Sequence, residues 1–218
     1  MSDIFQEVDE EVRRDKAVEF WTKYQNVFIV IAVLIVLATA GFRYYEYRRV
    51  QAADAAGAEF QNALKLERDG KGAEAGAAFV KLASDGPAGY RLLARFSEAD
   101  AKTKADPKAG AASFDALADD SALDPLFRDA ARLRAALARV DAGDIAAAKT
   151  GFEALATPEG PYRVTARLTL ASLALEAKDY AAAGKLLDQV VADPETPQTE
   201  RRAAESLLGL VASNSPAK

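Results

Sequence analysis

The chain contains neither cysteine nor histidine among its 218 residues, and it has only one methionine and one tryptophan. Without cysteine it cannot form a disulfide or use a thiolate nucleophile, and without histidine it has no imidazole for catalysis or metal binding. Its net charge of −5 does not fit a nucleic-acid-binding protein, which needs a clustered basic excess. These absences exclude several large classes of enzyme and binding protein.

Short catalytic motifs are missing as well. The sequence has no Gly-x-Gly-x-x-Gly after a strand, no phosphate loop and no Gly-x-Ser-x-Gly turn. Its carboxylate clusters lie at expected helix ends and turns, where such groups act as caps and solvated charges. The clusters are Asp119, Asp120 and Asp124, and Asp188, Asp193 and Glu195. We therefore expect no enzymatic activity, no cofactor, no metal site and no small-molecule substrate.

The longest uncharged run, residues 24–42, predicts a transmembrane helix. At about 1.5 Å per residue this run nearly spans the ~30 Å hydrocarbon core of a bilayer. Eleven aliphatic or aromatic residues within it favour insertion by roughly 0.3–0.6 kcal/mol each, or about 3–6 kcal/mol together. Aromatic residues flank the run on both sides, as is typical of the membrane interface. We expect residues 24–47 to contact membrane lipid.

A cleaved signal peptide is the alternative to an anchor, because residues 38–40 (Ala-Thr-Ala) fit a cleavage site. The long acidic segment before the apolar run opposes this interpretation. Basic residues are nearly balanced on the two sides, so they do not set the orientation. Since a short charged head usually stays in the cytoplasm, we expect the N-terminus inside and the C-terminal part outside.

A repeat of 35–38 residues follows the apolar segment. Each unit contains a large residue followed three positions later by an aliphatic one, and a small residue lies four positions before the large one. The pairs are Phe79-Leu82, Phe114-Leu117, Phe152-Leu155 and Leu187-Val190, and the small residues are Ala75, Gly110, Ala148 and Ala183. Asp106, Asp144 and Asp179 precede the last three units by the distance expected of helix N-caps.

A second signature lies about 25 residues before the last three anchors. An aromatic residue is followed by arginine, and a second arginine comes four residues after the first. The members of these three arginine rows are Tyr90, Arg91 and Arg95; Phe127, Arg128 and Arg132; and Tyr162, Arg163 and Arg167. A proline shortly before each row is suited to start a helix, so each unit reads as two helices.

The combined pattern predicts an all-α protein in which an N-terminal transmembrane helix precedes an α-solenoid of helical hairpins similar to tetratricopeptide repeats. No helix-breaking residue separates the apolar run from the first repeat helix, so we expect one continuous helix. The predicted parts are a short charged cytoplasmic head (1–23), the transmembrane helix (24–47), the repeat domain (48–212) and a disordered tail (213–218). We expect hairpins near 50–84, 88–119, 125–156 and 161–192, and a closing helix near 197–212.

The order of these parts resembles a known family. The segments that carry the resemblance are the acidic opening at 2–12, the Gly-Phe-Arg-Tyr-Tyr exit at 41–45 and Glu-Phe-Gln-Asn-Ala at 59–63. They are similar to the ancillary subunit of the bacterial Sec translocon, whose repeat domain is related to a cell-division coordinator of the Tol system. The resemblance implies an inner-membrane protein with a periplasmic repeat domain. It also implies the Sec translocon and a periplasmic chaperone as partners, with exported clients passed from the translocon to the chaperone.

The arginine rows are the candidate partner-binding residues, because arginine forks suit carboxylates and the adjacent rings provide stacking surface. The competing interpretation is that they only solubilise the helices and pair with nearby acids, such as Arg95 with Glu98 and Arg163 with Glu159. Arg91 and Arg167 have no acid at pairing distance in their own helix. Two function classes remain: a membrane-anchored protein-interaction module, or an envelope-assembly or cell-division scaffold that self-associates.

Overall fold

The computed structural model describes the backbone of residues 3–214 and the side chains of 13–16 and 18–214. Residues 1–2 of the predicted head and 215–218 of the predicted tail lie outside this part. All regular structure within it is α-helical. The helices are α1 (Asp3–Arg68), α2 (Gly72–Asp85), α3 (Ala88–Ala105), α4 (Pro107–Ala118), α5 (Pro125–Asp141), α6 (Ile145–Leu155), α7 (Arg163–Glu176), α8 (Tyr180–Ala192) and α9 (Gln198–Asn214).

The first helix is long and apolar enough to cross a membrane, and it is the one such helix in the described part of the chain. None of its 18-residue apolar window is buried. The helix is uninterrupted from Asp3 to Arg68, as the lack of a helix breaker predicts. The chain divides into two compact units, Met1–Ala55 and Ala56–Lys218, and each is described separately here.

The second unit consists of the predicted hairpins. From α2 onward each helix packs against the next one along the chain, which is the contact pattern of stacked hairpins. The predicted anchors Phe79, Phe114, Phe152 and Leu187 are all buried, and so are their aliphatic partners. The small residues four positions before them are also buried. The predicted register of the repeat is therefore confirmed.

Aspartate side chains start the second helix of three hairpins, as the repeat pattern predicts. The carboxylate of Asp106 accepts a hydrogen bond from the backbone N–H of Lys108 at 3.0 Å, and Asp144 and Asp179 cap α6 and α8 in the same way. These bonds satisfy N–H groups that have no partner within the helix. The acidic residues thus define where each second helix begins.

Small residues allow the helices of one hairpin to approach closely. A Cβ atom added to Gly110 of α4 would lie 2.0 Å from the side-chain oxygen of Thr103 in α3 and 2.5 Å from its Cα atom. No larger side chain fits at that distance. The core between later hairpins follows the same rule, since Phe152 packs against the methyl groups of Ala136, Ala148 and Ala166. Pairing small residues with one large ring produces the tight stacking.

Candidate interaction site

The arginine rows lie at the starts of three first helices. Two rows occupy the opening turns of α3 and α5, and the third begins with Tyr162, the residue before α7. Residues four apart share one face of a helix, so both arginines of a row lie on the same side. The three rows differ in what they contact.

Two of the three side chains in the row on α3 make contacts within the protein. The ring of Tyr90 is half-buried and lies 6.3 Å from that of Phe60 on α1. The Arg95 side chain forms an ion pair of 2.7 Å with Asp120, in the loop after α4. The predicted pairing with Glu98 is wrong, because Glu98 pairs with Lys102 instead. Hydrogen bonds from Arg95 and from backbone lower the pKa of Asp120.

The row on α7 forms the most extensive ionic network in the described residues. Arg163 donates two hydrogen bonds to Asp193, at 2.6 and 3.1 Å, and a third to Glu195. These partners lie in the loop between α8 and α9, so the predicted pairing of Arg163 with Glu159 is wrong. The arginine hydrogen bonds hold the pKa of Asp193 at about 2, and both carboxylates raise the pKa of Arg163.

Arg167 is buried rather than solubilising, with 8% of its surface exposed. Its guanidinium donates to Asp193 at 3.2 Å and to the backbone carbonyl of Ala156 at 3.1 Å. The interpretation that Arg167 only solubilises its helix is therefore wrong. Its partners lie 11 and 26 residues away in sequence, beyond the reach of an analysis within one helix.

The loop after α8 is held from its other side as well. Arg201 of α9 donates to the backbone carbonyls of Val191 and Asp193, at 2.6 and 2.9 Å. The buried hydroxyl of Thr196 donates to the carbonyl of Val190 at 2.8 Å. Since these bonds fix the loop, Asp193 meets the two arginines of α7 in one defined position.

The second arginines of α3 and α7 make equivalent contacts. Arg95 pairs with an aspartate 25 residues later, and Arg167 pairs with one 26 residues later. Each bond joins the first helix of a hairpin to the loop that follows its second helix. At the corresponding place after α6 the chain has Thr157 and Pro158, so Arg132 finds no acid there. An acidic residue at this offset is the sequence signal that would have revealed these bonds.

The row on α5 is consequently the most open of the three. Phe127 has 43% of its surface exposed and lies next to the exposed Leu126. Arg132 pairs with Asp129 of its own helix. Arg128 is half-buried, and its Nε has no hydrogen-bond partner among the described residues. This row combines exposed apolar surface with guanidinium groups.

A polar groove of about 400 Å³ lies across α1, α3 and α5. Two ion pairs cross it, Glu67 with Lys104 and Asp100 with Arg134. Burial raises the pKa of Asp100, and this effect outweighs the opposing influence of Arg134. The lining residues are Leu64, Glu67, Ser97, Asp100, Thr103, Lys104, Arg134 and Asp141. No local sequence pattern predicts this groove, because its residues come from three separate hairpins.

The side chains that the structure describes contain no group of three carboxylates placed to hold a metal ion. The arginine rows and the groove offer paired charges and exposed apolar surface, which suit the binding of another protein.

Comparisons with known proteins identify the repeat. The tetratricopeptide repeat-like domain matches residues 18–134 and, in a second overlapping match, residues 90–203. The comparisons with curated proteins and with solved structures found no match. Together the two matched segments cover most of the 218 residues. The chain therefore belongs to the tetratricopeptide repeat-like domain family.

Proposed function

We propose that this protein is a membrane-anchored interaction module that holds partner proteins at the surface of a bilayer. The observation that carries the proposal is the succession of an unburied apolar helix and a tetratricopeptide repeat-like domain in one chain. Folds of this type are typically non-catalytic scaffolds for protein binding. An unburied apolar window gains free energy by entering lipid, so α1 supplies the anchor and the hairpins supply the binding surface.

The finer form of the proposal is an ancillary subunit of the bacterial Sec translocon that passes exported clients to periplasmic chaperones. Its support is the resemblance of residues 2–12, 41–45 and 59–63 to that family. In this form the N-terminus is cytoplasmic, the anchor lies in the inner membrane and the repeat domain is periplasmic.

The proposed contact surface starts from the arginine rows and gives most weight to their exposed members. Arg91, Phe127 and Arg132 are exposed to solvent, so a partner reaches them without breaking the core. Aromatic residues and arginine contribute strongly to protein interfaces. The remaining members are half-buried or buried, so they offer less surface to a partner; they are Tyr90, Arg95, Arg128, Tyr162, Arg163 and Arg167.

The orientation is tested by protease treatment of intact spheroplasts. We expect the repeat domain to be degraded while a tag on residues 1–23 is protected. Lysed spheroplasts provide the control, since both parts are then accessible. A mature N-terminus near Gly41 would contradict the anchor and support a cleaved signal peptide.

The partner is identified by crosslinking in native membranes followed by capture from detergent. Recovery of translocon subunits supports the finer proposal. Recovery of a division complex, or of a homo-oligomer alone, supports the envelope scaffold instead.

The contact surface is tested by the same capture with two matched variants. Phe127→Ala removes an exposed ring from the α5 row, whereas Val80→Ala removes an exposed apolar side chain from α2. We expect Phe127→Ala to weaken capture at least about tenfold, as is typical of a central interface residue. Equal capture by both variants would exclude the α5 row from the interface.

A further inference from the structure

A second groove, of about 450 Å³, lies beside the ionic network of α7. Pro158 lines it from the loop before α7, and Pro194 and Glu195 line it from the loop after α8. Arg163 and Arg167 also contribute to its lining. Charged side chains of both signs therefore meet the solvent between two proline-containing loops.

The guanidinium of Arg163 makes four hydrogen bonds within the protein. Its Nε and Nη2 donate to Asp193, and its Nη1 donates to the carbonyl of Gly160 at 3.3 Å. A further bond from Nη2 goes to Glu195. A guanidinium has five N–H donors, so this bond occupies a donor that the buried network does not use.

The two carboxylates on Arg163 differ in exposure. The side chain of Asp193 is 9% exposed, and it accepts hydrogen bonds from both arginines and from the backbone N–H of Glu195. The side chain of Glu195 is 76% exposed, and its one recorded ion pair is that with Arg163. Exposed ion pairs contribute little to stability. Asp193 is therefore a fixed part of the fold, whereas Glu195 can leave at small cost.

Arg167 also lines this groove, and one of its N–H donors has no acceptor in the described part of the chain. Its Nε is buried and has no hydrogen-bond partner among the described residues. Buried polar atoms are normally paired. Within the residues that the structure describes, the two arginines that line the groove thus have one buried donor without an acceptor and one donor held by the exposed carboxylate of Glu195.

We propose that this groove binds a carboxylate of an acidic segment in a partner protein, and that Glu195 occupies the site when no partner is present. The incoming carboxylate replaces Glu195 on Nη2 of Arg163, and no covalent bond changes. Arginine suits this exchange because its planar fork matches carboxylate geometry. The inference rests on the protein-interaction function proposed above and names the chemistry of one partner segment.

The test uses the full chain in detergent and a fluorescent twelve-residue peptide of alternating glutamate and glycine, with binding followed by anisotropy. Glu195→Gln removes the internal competitor, so we expect the peptide to bind about two- to fivefold more tightly. Glu153→Gln is the matched control, because it makes the same charge change at an exposed residue of α6. A peptide with glutamine in place of glutamate should show no gain with either variant.

Further measurements distinguish binding at this site from general effects of charge. Adding Arg163→Gln to Glu195→Gln should abolish the gain, and the melting temperature of each variant reports whether it still folds. If the double variant does not fold, loss of the gain at 0.5 M salt provides the same test, because salt screens exposed charge pairs. If free glutarate competes with the peptide, the natural source of the carboxylate is a small molecule. If glutarate does not compete, the result supports a peptide segment.

Unchanged or weaker peptide binding by Glu195→Gln would overturn the proposal, and so would an equal gain in Glu153→Gln. The first result would assign Glu195 a structural part in the loop after α8, and the second would attribute the gain to a general effect of charge. This assay needs neither a membrane nor a natural partner. If the capture experiments fail while the peptide binds as expected, the proposed function alone is therefore contradicted.

Discussion

Replacing Phe152 by alanine tests the packing on which the repeat architecture depends. The ring is fully buried, and its neighbours include Ala136, Ala148 and Ala166. Alanine side chains have no rotamers with which to fill a cavity. These alanines therefore cannot refill the space of the missing ring.

The expected loss follows from two contributions. The deleted ring leaves a cavity of roughly 100 Å³, which costs about 2.4 kcal/mol at ~24 cal/mol per Å³. Lost transfer of the ring from water adds about 2 kcal/mol. The total of about 4–5 kcal/mol is a large part of the ~5–15 kcal/mol that stabilises an ordinary domain.

Urea unfolding of the full chain, followed by circular dichroism, measures this loss. With a slope of about 2 kcal/mol per M, the unfolding midpoint should fall by about 2 M. Phe127→Ala is the matched control, since it deletes the same ring from an exposed position. A shift below about 0.5 M for Phe152→Ala, or equal shifts for both variants, would refute the buried anchor and the repeat register.

Three further predictions concern charge and close packing. Arg167→Gln should destabilise the repeat unit by about 2–4 kcal/mol, because it breaks a buried ion pair. Arg91→Gln changes an exposed residue and should alter stability by less than about 0.5 kcal/mol in the same urea assay. The pKa of Asp193 is about 2, below its ordinary value of 3.8, so its contribution to stability is complete above about pH 4 and disappears as the pH falls toward 2. Asp193→Asn should flatten this part of the pH dependence of the melting temperature. An unchanged slope would contradict the ion pair. Gly110→Ala should lower the melting temperature, because the added Cβ atom would overlap the backbone of α3. The Cβ atom added by Gly76→Ala meets no atom within 4 Å, so this variant should leave the melting temperature equal or higher. Equal effects of the two variants would contradict the close approach of α3 and α4.

The sequence was sufficient to predict every hairpin because the features that define a hairpin are local. The spacing of Phe114 and Phe152 relative to small residues shows which helical face is buried. Asp106 and Asp144 lie next to the N–H groups that they cap, within three residues. Helix boundaries and the buried face depend on contacts between near neighbours, and a pattern of residues within one unit records them.

The partners of the arginines depended on the tertiary structure. Arg95 and Arg163 have acids nearby in their own segments, yet they pair with Asp120 and Asp193, 25 and 30 residues away. In the α3–α4 and α7–α8 hairpins, folding places the loop after the second helix against the first helix, so a distant carboxylate is closer than a neighbouring one. The uncharged run at 24–42 predicted the apolar helix α1, and the repeat pattern predicted the hairpins and their register. Stacking of the hairpins decided which arginines are buried in ion pairs and which remain exposed to a partner.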